Sequence, residues 1–187
     1  SKKENEKRRA ILPDALQGLR NPGSVVIEHG YGEDLNISDQ AYLDKGARIA
    51  SREECLKQDV VCDPKIGDAE FLDDLTENQT MFGWVHAERD SERTTLLLER
   101  GLTAVAWEDM YQNGRHVFWR NNELAGEAAV LHALTLFGKL PYNCKVAIIG
   151  RGNTGRGAFR ILTSLGAEVT VYNRRTEKLL RKEIGQY

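Results

Sequence analysis

Apolar residues recur along this chain in two rhythms, short continuous runs and stripes at helical spacing, and the two alternate from end to end. Such alternation predicts an α/β layer architecture. The runs predict strands over Ser24 to Glu28, Asp59 to Cys62, Thr80 to Val85 and Thr103 to Trp107. Helical patterns lie between them at Pro13 to Leu19, Ser38 to Leu43, Ser51 to Lys57, Ala69 to Leu75 and Ser91 to Arg100. Ser51 with Glu54 three residues on reads as a capping box, which places that helix start. The longest pattern runs from Asn122 or Glu123 to Phe137, with an apolar stripe of Leu124, Ala128, Leu131, Ala133-Leu134 and Phe137, and Gly138 and Pro141 end it.

The sharpest succession comes last. Val146-Ala147-Ile148-Ile149 is a buried-strand run, Gly150-Arg151-Gly152-Asn153-Thr154-Gly155 a glycine turn, and a helical stretch follows until Gly166-Ala167. Glu168-Val169-Thr170-Val171-Tyr172-Asn173 then reads as a second strand, so the G-x-G-x-x-G sits in a βαβ context. Gly150 permits the tight turn, Gly152 lets backbone approach a pyrophosphate, and Gly155 lets the helix close on the sheet. The helix N-terminus supplies free N–H donors to the phosphates. Where an NAD site usually carries an acid to hold the ribose hydroxyl, this chain has Asn173-Arg174-Arg175. A neutral amide removes the repulsion and two guanidiniums can grip a 2′-phosphate, which favours NADP(H). The plainer alternative is a solvated helix entry capped by Thr176.

The fold class expected is therefore α/β. A substrate-binding α/β domain at 1–121 leads through a connecting helix and linker at 122–143 into a Rossmann dinucleotide-binding domain at 144–187. Only the first half of that domain is expected here, because a full sheet has about six strands. The sequence opens on Ser1 rather than Met and stops at Tyr187, and we expect a piece of a longer chain.

Composition narrows the classes. With 187 residues, 41% hydrophobic and a net charge of −2, the chain can bury one good core or two small ones and shows no electrostatic case for nucleic acid. No apolar run approaches a membrane span, and there is no secretory signal, so a cytoplasmic protein is expected. Cys55, Cys62 and Cys144 lack C-x-x-C spacing, which indicates neither a disulfide framework nor a zinc knuckle. No metal is expected: His29, His116 and His132 have no spaced partners. Trp84, Trp107 and Trp119 read as core or interface residues. Glu123 could reach substrate or simply favour a helix dipole.

Three residues in the first part could do chemistry. Arg8 precedes a helix start and can hold a carboxylate bidentately. Lys65 follows the run Val60-Val61-Cys62 in a loop, where it can polarise a carbonyl. His86 ends the run Met81-Phe82-Gly83-Trp84-Val85 and can exchange protons near neutral pH.

Glu6-Lys7-Arg8-Arg9-Ala10-Ile11-Leu12-Pro13 resembles the N-terminal signature of the alanine dehydrogenase and transhydrogenase family. Asp63-Pro64-Lys65 and Phe82-Gly83-Trp84-Val85-His86 are similar to the segments in which that family keeps its lysine and histidine. With the nucleotide loop these motifs cover nearly the whole chain. Phe82-Gly83-Trp84-Val85-His86-Ala87, Ala106-Trp107-Glu108-Asp109-Met110, Gly114-Arg115-His116-Val117-Phe118-Trp119-Arg120-Asn121-Asn122-Glu123 and Gly150-Arg151-Gly152-Asn153-Thr154 are most similar to one branch of it. Members of that branch condense pyruvate with the side-chain amine of L-ornithine and reduce the imine with NADPH. The resemblance implies that Arg8 and Lys65 bind the keto acid, that His86 is the acid/base, and that a further aspartate lies beyond these residues. It also implies a homo-oligomer acting on small molecules. Ammonia as the amine would make an alanine dehydrogenase, lysine a saccharopine-type enzyme, and a non-catalytic NADP(H)-binding module remains a third expectation.

Overall fold

The computed structural model describes residues 6–187, the side chains of Arg89 and Glu177 excepted, and residues 1–5 lie outside it. The chain divides into two compact units, one ending at Met110 and one running from Tyr111 to Tyr187.

The first unit opens with helix α1 (Pro13–Leu16), strand β1 (Val26–Glu28), helix α2 (Asp39–Leu43), strand β2 (Arg48–Ala50) and helix α3 (Arg52–Leu56). Strands β3 (Val60–Cys62) and β4 (Thr80–Gly83), helix α4 (Ser91–Glu99) and strand β5 (Thr103–Ala106) complete it. β1 pairs β2 in parallel, Ile27 opposite Ile49, and β3-β4-β5 form a second parallel sheet with Met81 between Val61 and Ala104. Each sheet has its own core: Leu16, Ile27 and Tyr42 bury together beside the first, and Ile66, Leu75, Met81 and Val85 beside the second. Burying each such side chain contributes about 1.5–3 kcal/mol. Gln79 is buried at the mouth of β4 and fully used, its amide donating to the Leu56 and Gln58 carbonyls at 2.7 Å each while its oxygen accepts from Thr76 N–H at 2.7 Å.

The Ser51 capping box forms on both sides, Ser51 Oγ accepting from Glu54 N–H at 3.3 Å and Ser51 N–H donating to the Glu54 carboxylate at 3.2 Å. Other boundaries move. The helix expected over Ala69 to Leu75 is a 3-10 segment, Glu70–Asp74, whose five residues tighten under the buried Phe71 and Leu72. β2 was not anticipated, since three residues carry too little alternation to register.

The second unit begins with a hairpin, β6 (Tyr111–Gln112) and β7 (Arg115–His116), turned by Asn113 and Gly114, both at positive φ. An Asn-Gly pair there is the chemistry of a type I′ turn. Helix α5 (Trp119–Phe137), strand β8 (Lys145–Ile149), helix α6 (Asn153–Ser164), strand β9 (Glu168–Tyr172) and helix α7 (Glu177–Glu183) follow, with β8 and β9 parallel over five residue pairs. α5 starts three residues or more before its expected start, and it buries a different face. Leu124, Leu131 and Phe137 are exposed, and the buried residues are Glu123 and Gly126. Backbone contact is the reason. A Cβ on Gly126 would stand 2.0 Å from the Thr154 carbonyl of α6, and one on Gly157 would stand 1.9 Å from the Glu123 carbonyl. Two glycines thus let the helices touch main chain to main chain.

Candidate active site

In the first unit β1 and β3 flank one cleft of about 820 Å³, within the range of small-molecule sites. β1 belongs to the sheet it forms with β2 and β3 to the sheet it forms with β4 and β5, so the cleft lies where the leading strands of two parallel sheets face one space. Glu28 and His29 end β1 at the cleft, and Cys62, Asp63 and Pro64 end β3 there.

Arg8 lines this cleft and is tied at both ends of its fork to Glu6, Nε donating to Oε1 at 2.9 Å and Nη2 to Oε2 at 2.5 Å. These bonds hold the Glu6 carboxyl below the usual carboxylate range against the opposing effect of burial, and the charges of Arg8 and Lys65 add to the lowering. Arg8 is the partner of this carboxylate, and Lys65 acts on it through charge alone. The segment carrying Arg8 is fixed by Tyr31, whose hydroxyl accepts from Ala10 N–H at 2.6 Å and whose carbonyl accepts from Arg9 Nε, while Arg9 also pairs with Asp34 at 2.8 Å. Burial pushes the Tyr31 hydroxyl up to about 12, so it stays a neutral acceptor. The Cys62 thiol is open to water yet sits in the concave cleft, and that surrounding protein pushes it up to about 12 as well, which leaves it an inert thiol near neutral pH.

Lys65 and His86 stand on neighbouring loops that touch backbone to backbone. Gly67 N–H donates to the Trp84 carbonyl at 3.0 Å, and a Cβ on Gly67 would lie 2.1 Å from the Val85 carbonyl. Arg93 binds both loops, reaching Val85 O at 2.9 Å and Asp68 at 3.1 Å. His86 adopts a left-handed conformation at φ 57°, a sparsely populated region for a non-glycine residue, and Glu108 holds it there. The Glu108 carboxylate accepts from Val85 N–H at 3.2 Å and from His86 N–H, and lies 3.7 Å from His86 Nδ1. The imidazole stacks on Trp84 with ring centres 6.0 Å apart. Among the described contacts none joins His86 to Arg8. Glu108 and Gly67 position this pair of loops, as does Gly83, on which a Cβ would stand 2.0 Å from the Asp63 carbonyl, and none of the three carries a sequence signal of its own.

His29, set aside for want of metal partners, sits in the cleft with Nδ1 on Asp39, which raises its imidazole. Asp39 also accepts from Gly30 N–H at 3.0 Å.

In the second unit the glycine turn is open on its outer side. Gly150 has φ 107° and its N–H donates to Tyr172 O at 2.8 Å, while a Cβ on Gly150 or Gly152 would meet nothing within 4 Å. A Cβ on Gly155 would instead stand 2.6 Å from the Gly150 carbonyl, so this glycine closes the helix on the turn. The first-turn amides at Asn153, Thr154 and Gly155 have no partner within a helix that begins there. Such an open backbone cradle fits the pyrophosphate of a dinucleotide, with Arg151 exposed at its rim. At the end of β9, Asn173 Oδ1 accepts from Arg175 N–H at 2.8 Å and Thr176 N–H at 3.3 Å. The asparagine thus builds the turn, and Thr176 makes no side-chain cap to α7. Arg174 and Arg175 are exposed and make no ion pair among the described residues.

Glu123 is held within its own unit by arginines. It is 4% exposed and clasped by Arg120 at 2.8 Å, Arg156, and Arg160 at 3.5 Å, and these guanidiniums lower its carboxyl although burial alone would raise it.

A cleft among parallel strands in one unit and an open glycine turn in the next are the plan of a two-domain nucleotide-dependent α/β protein. The chain belongs to the alanine dehydrogenase/PNT family, whose N-terminal domain model matches residues 2–119 and whose C-terminal domain model matches residues 126–184. It is 30% identical over 98% of its length to the N(5)-(carboxyethyl)ornithine synthase of Clostridium botulinum and 29% identical over 95% to the alanine dehydrogenase of Halomonas elongata. It covers 62% and 53% of those two proteins, so it spans less than two thirds of the relatives it matches. A solved L-alanine dehydrogenase superposes with a TM-score of 0.75 at 24% identity, covering 98% of this chain and 56% of that one, and shares the fold.

Proposed function

We propose that the protein is an NADPH-dependent oxidoreductase that condenses pyruvate with the side-chain amine of L-ornithine and reduces the product to N5-(1-carboxyethyl)ornithine. The observation that carries this reading is Arg8 at the cleft with its guanidinium already on a carboxylate, that of Glu6, which also feels the charge of Lys65. Cations that already hold a carboxylate can hold a keto acid's instead. Arg8 is 44% exposed, so its guanidinium is within reach of a substrate carboxylate that can make the same two bonds as Glu6.

In this reading Arg8 takes the carboxylate and Lys65 polarises the keto oxygen. The neutral amine forms a C–N bond to the carbonyl carbon, and His86, oriented by Glu108, moves the protons by which the carbinolamine loses water. A dinucleotide held by the Gly150–Gly155 turn would supply the hydride that, with one proton, converts the imine to a secondary amine. Holding both reactants in register is worth more than any single proton transfer. Exposed Arg174 and Arg175 and the lack of an acid at 173 support NADPH over NADH. We propose the same division for the chain: keto acid and amine at 1–121, a connection at 122–143, dinucleotide at 144–187. The relation to alanine dehydrogenase favours ammonia as a second candidate amine. NADPH oxidation by the full-length protein with pyruvate decides between them: it should require L-ornithine, and equal rates with ammonium alone would assign the second reading.

A further inference from the structure

A three-carbon keto acid fills only a small part of a cleft of about 820 Å³. Away from Arg8 the same cleft carries a second pair of opposite charges. Glu28, the last residue of β1, and Arg52, the first of α3, face each other with Nη1 3.5 Å from Oε1. This is the outer limit of a hydrogen bond, and both side chains remain open to solvent, 40% and 37% exposed. Arg52 is nevertheless fixed in place, its guanidinium lying 5.4 Å from the centre of the Phe71 ring. Four of its five N–H donors have no partner in this pair, and Glu28 has lone pairs to spare. An exposed pair at this distance contributes little to folding.

We propose that Glu28 and Arg52 form the subsite that recognises the α-ammonium and α-carboxylate of the amine substrate, which makes that substrate an α-amino acid rather than ammonia or a simple diamine. The proposal rests on the reaction proposed above and assigns its second reactant. In an amino acid the two charged groups sit on one carbon, a spacing that matches a facing carboxylate and guanidinium. The ammonium takes Glu28 and the carboxylate takes Arg52, so one long ion pair is replaced by two short ones. Anchored at its backbone end, the amino acid leaves its side-chain amine to extend along the cleft, whose lining includes Arg8.

The test is calorimetric titration of the full-length protein, with NADP+ saturating and no keto acid, using L-ornithine and putrescine, which has the amines but no carboxylate. L-Ornithine should bind more tightly than putrescine. Arg52→Gln and Glu28→Gln should each weaken L-ornithine by about 10- to 100-fold, the loss expected for a charged hydrogen bond; Arg52→Gln should leave putrescine binding unchanged, Glu28→Gln should weaken it, and neither should alter pyruvate binding. Because Arg52 starts a helix, Arg52→Lys serves as a second variant and should recover part of the L-ornithine affinity. Equal affinities for L-ornithine and putrescine in the wild type, a loss under twofold in both Gln variants, or a Lys variant no better than Gln would each overturn the subsite. The two proposals fail separately. Arg52-dependent L-ornithine binding without NADPH oxidation in the presence of pyruvate would remove the reaction and keep the subsite, whereas turnover indifferent to both variants would do the reverse.

Discussion

Single residues carry the sharpest expectations. Arg174 and Arg175 are exposed at the end of β9, so replacing both with Ala should cost about 2–4 kcal/mol of NADPH binding, roughly 30- to 1,000-fold, and leave NADH affinity unchanged. Equal losses for the two cofactors, titrated side by side, would count against a 2′-phosphate contact. His86→Gln should leave dinucleotide affinity intact and slow turnover by about 10²- to 10⁴-fold, the usual share of general acid–base catalysis. A rate above half that of the wild type would take His86 out of the mechanism. Glu6 has a stability signature. Its carboxyl is lowered in the folded chain, so its contribution is complete above the unfolded value of about 4.3 and is lost as pH falls from there through the folded value. Urea denaturation of the wild type and Glu6→Gln should show a stability gap at pH 6 that closes below pH 4. A gap constant across that range would mean Glu6 is not held by Arg8 in solution.

Elements show what the sequence made legible. The apolar runs of β3, β4, β5, β8 and β9, the Ser51 capping box and the glycine turn carry their own local signals, and all are found. β2 offers only Ile49 and Ala50 beside Arg48, too few positions for a period of two. On α5 the apolar spacing does not mark the buried face, because Glu123 and Gly126 are buried by backbone contact and by arginines from α6. The site divides similarly. Arg8, Lys65 and His86 were picked out weakly by residue type and strongly by resemblance, but Glu108 and Gly67 act through main-chain contacts no pattern displays. Two glycine variants test this difference. Gly157→Ala forces a methyl group against the Glu123 carbonyl and should destabilise by about 1–3 kcal/mol, visible as a lower urea midpoint. Gly152→Ala meets open space, so it should leave the midpoint unchanged and weaken dinucleotide binding instead. A reversed pattern would show that α5 and α6 do not pack as described.

For the whole molecule the expected consequence is a division of labour. In NMR titrations NADP+ should shift amide signals at Gly150, Gly152 and Gly155, and pyruvate those at Gly30 and Gly67. Pyruvate shifts confined to residues after Met110 would show that the cleft is not its site. The alternation of strands and helices made the α/β plan readable at this scale, but the cleft depends on which strands become neighbours, and pairing of β1 with β2 and of β3 with β4 is a long-range outcome. The doubly bonded Glu6–Arg8 pair has one more consequence. The protein keeps a tethered stand-in for its ligand, so the guanidinium meets the chloride of its surroundings already bonded. A spherical anion that gains one contact does not evict a carboxylate making two, whereas a ligand carboxylate that makes the same two does, and the cleft thereby selects by shape of charge from within its own chain.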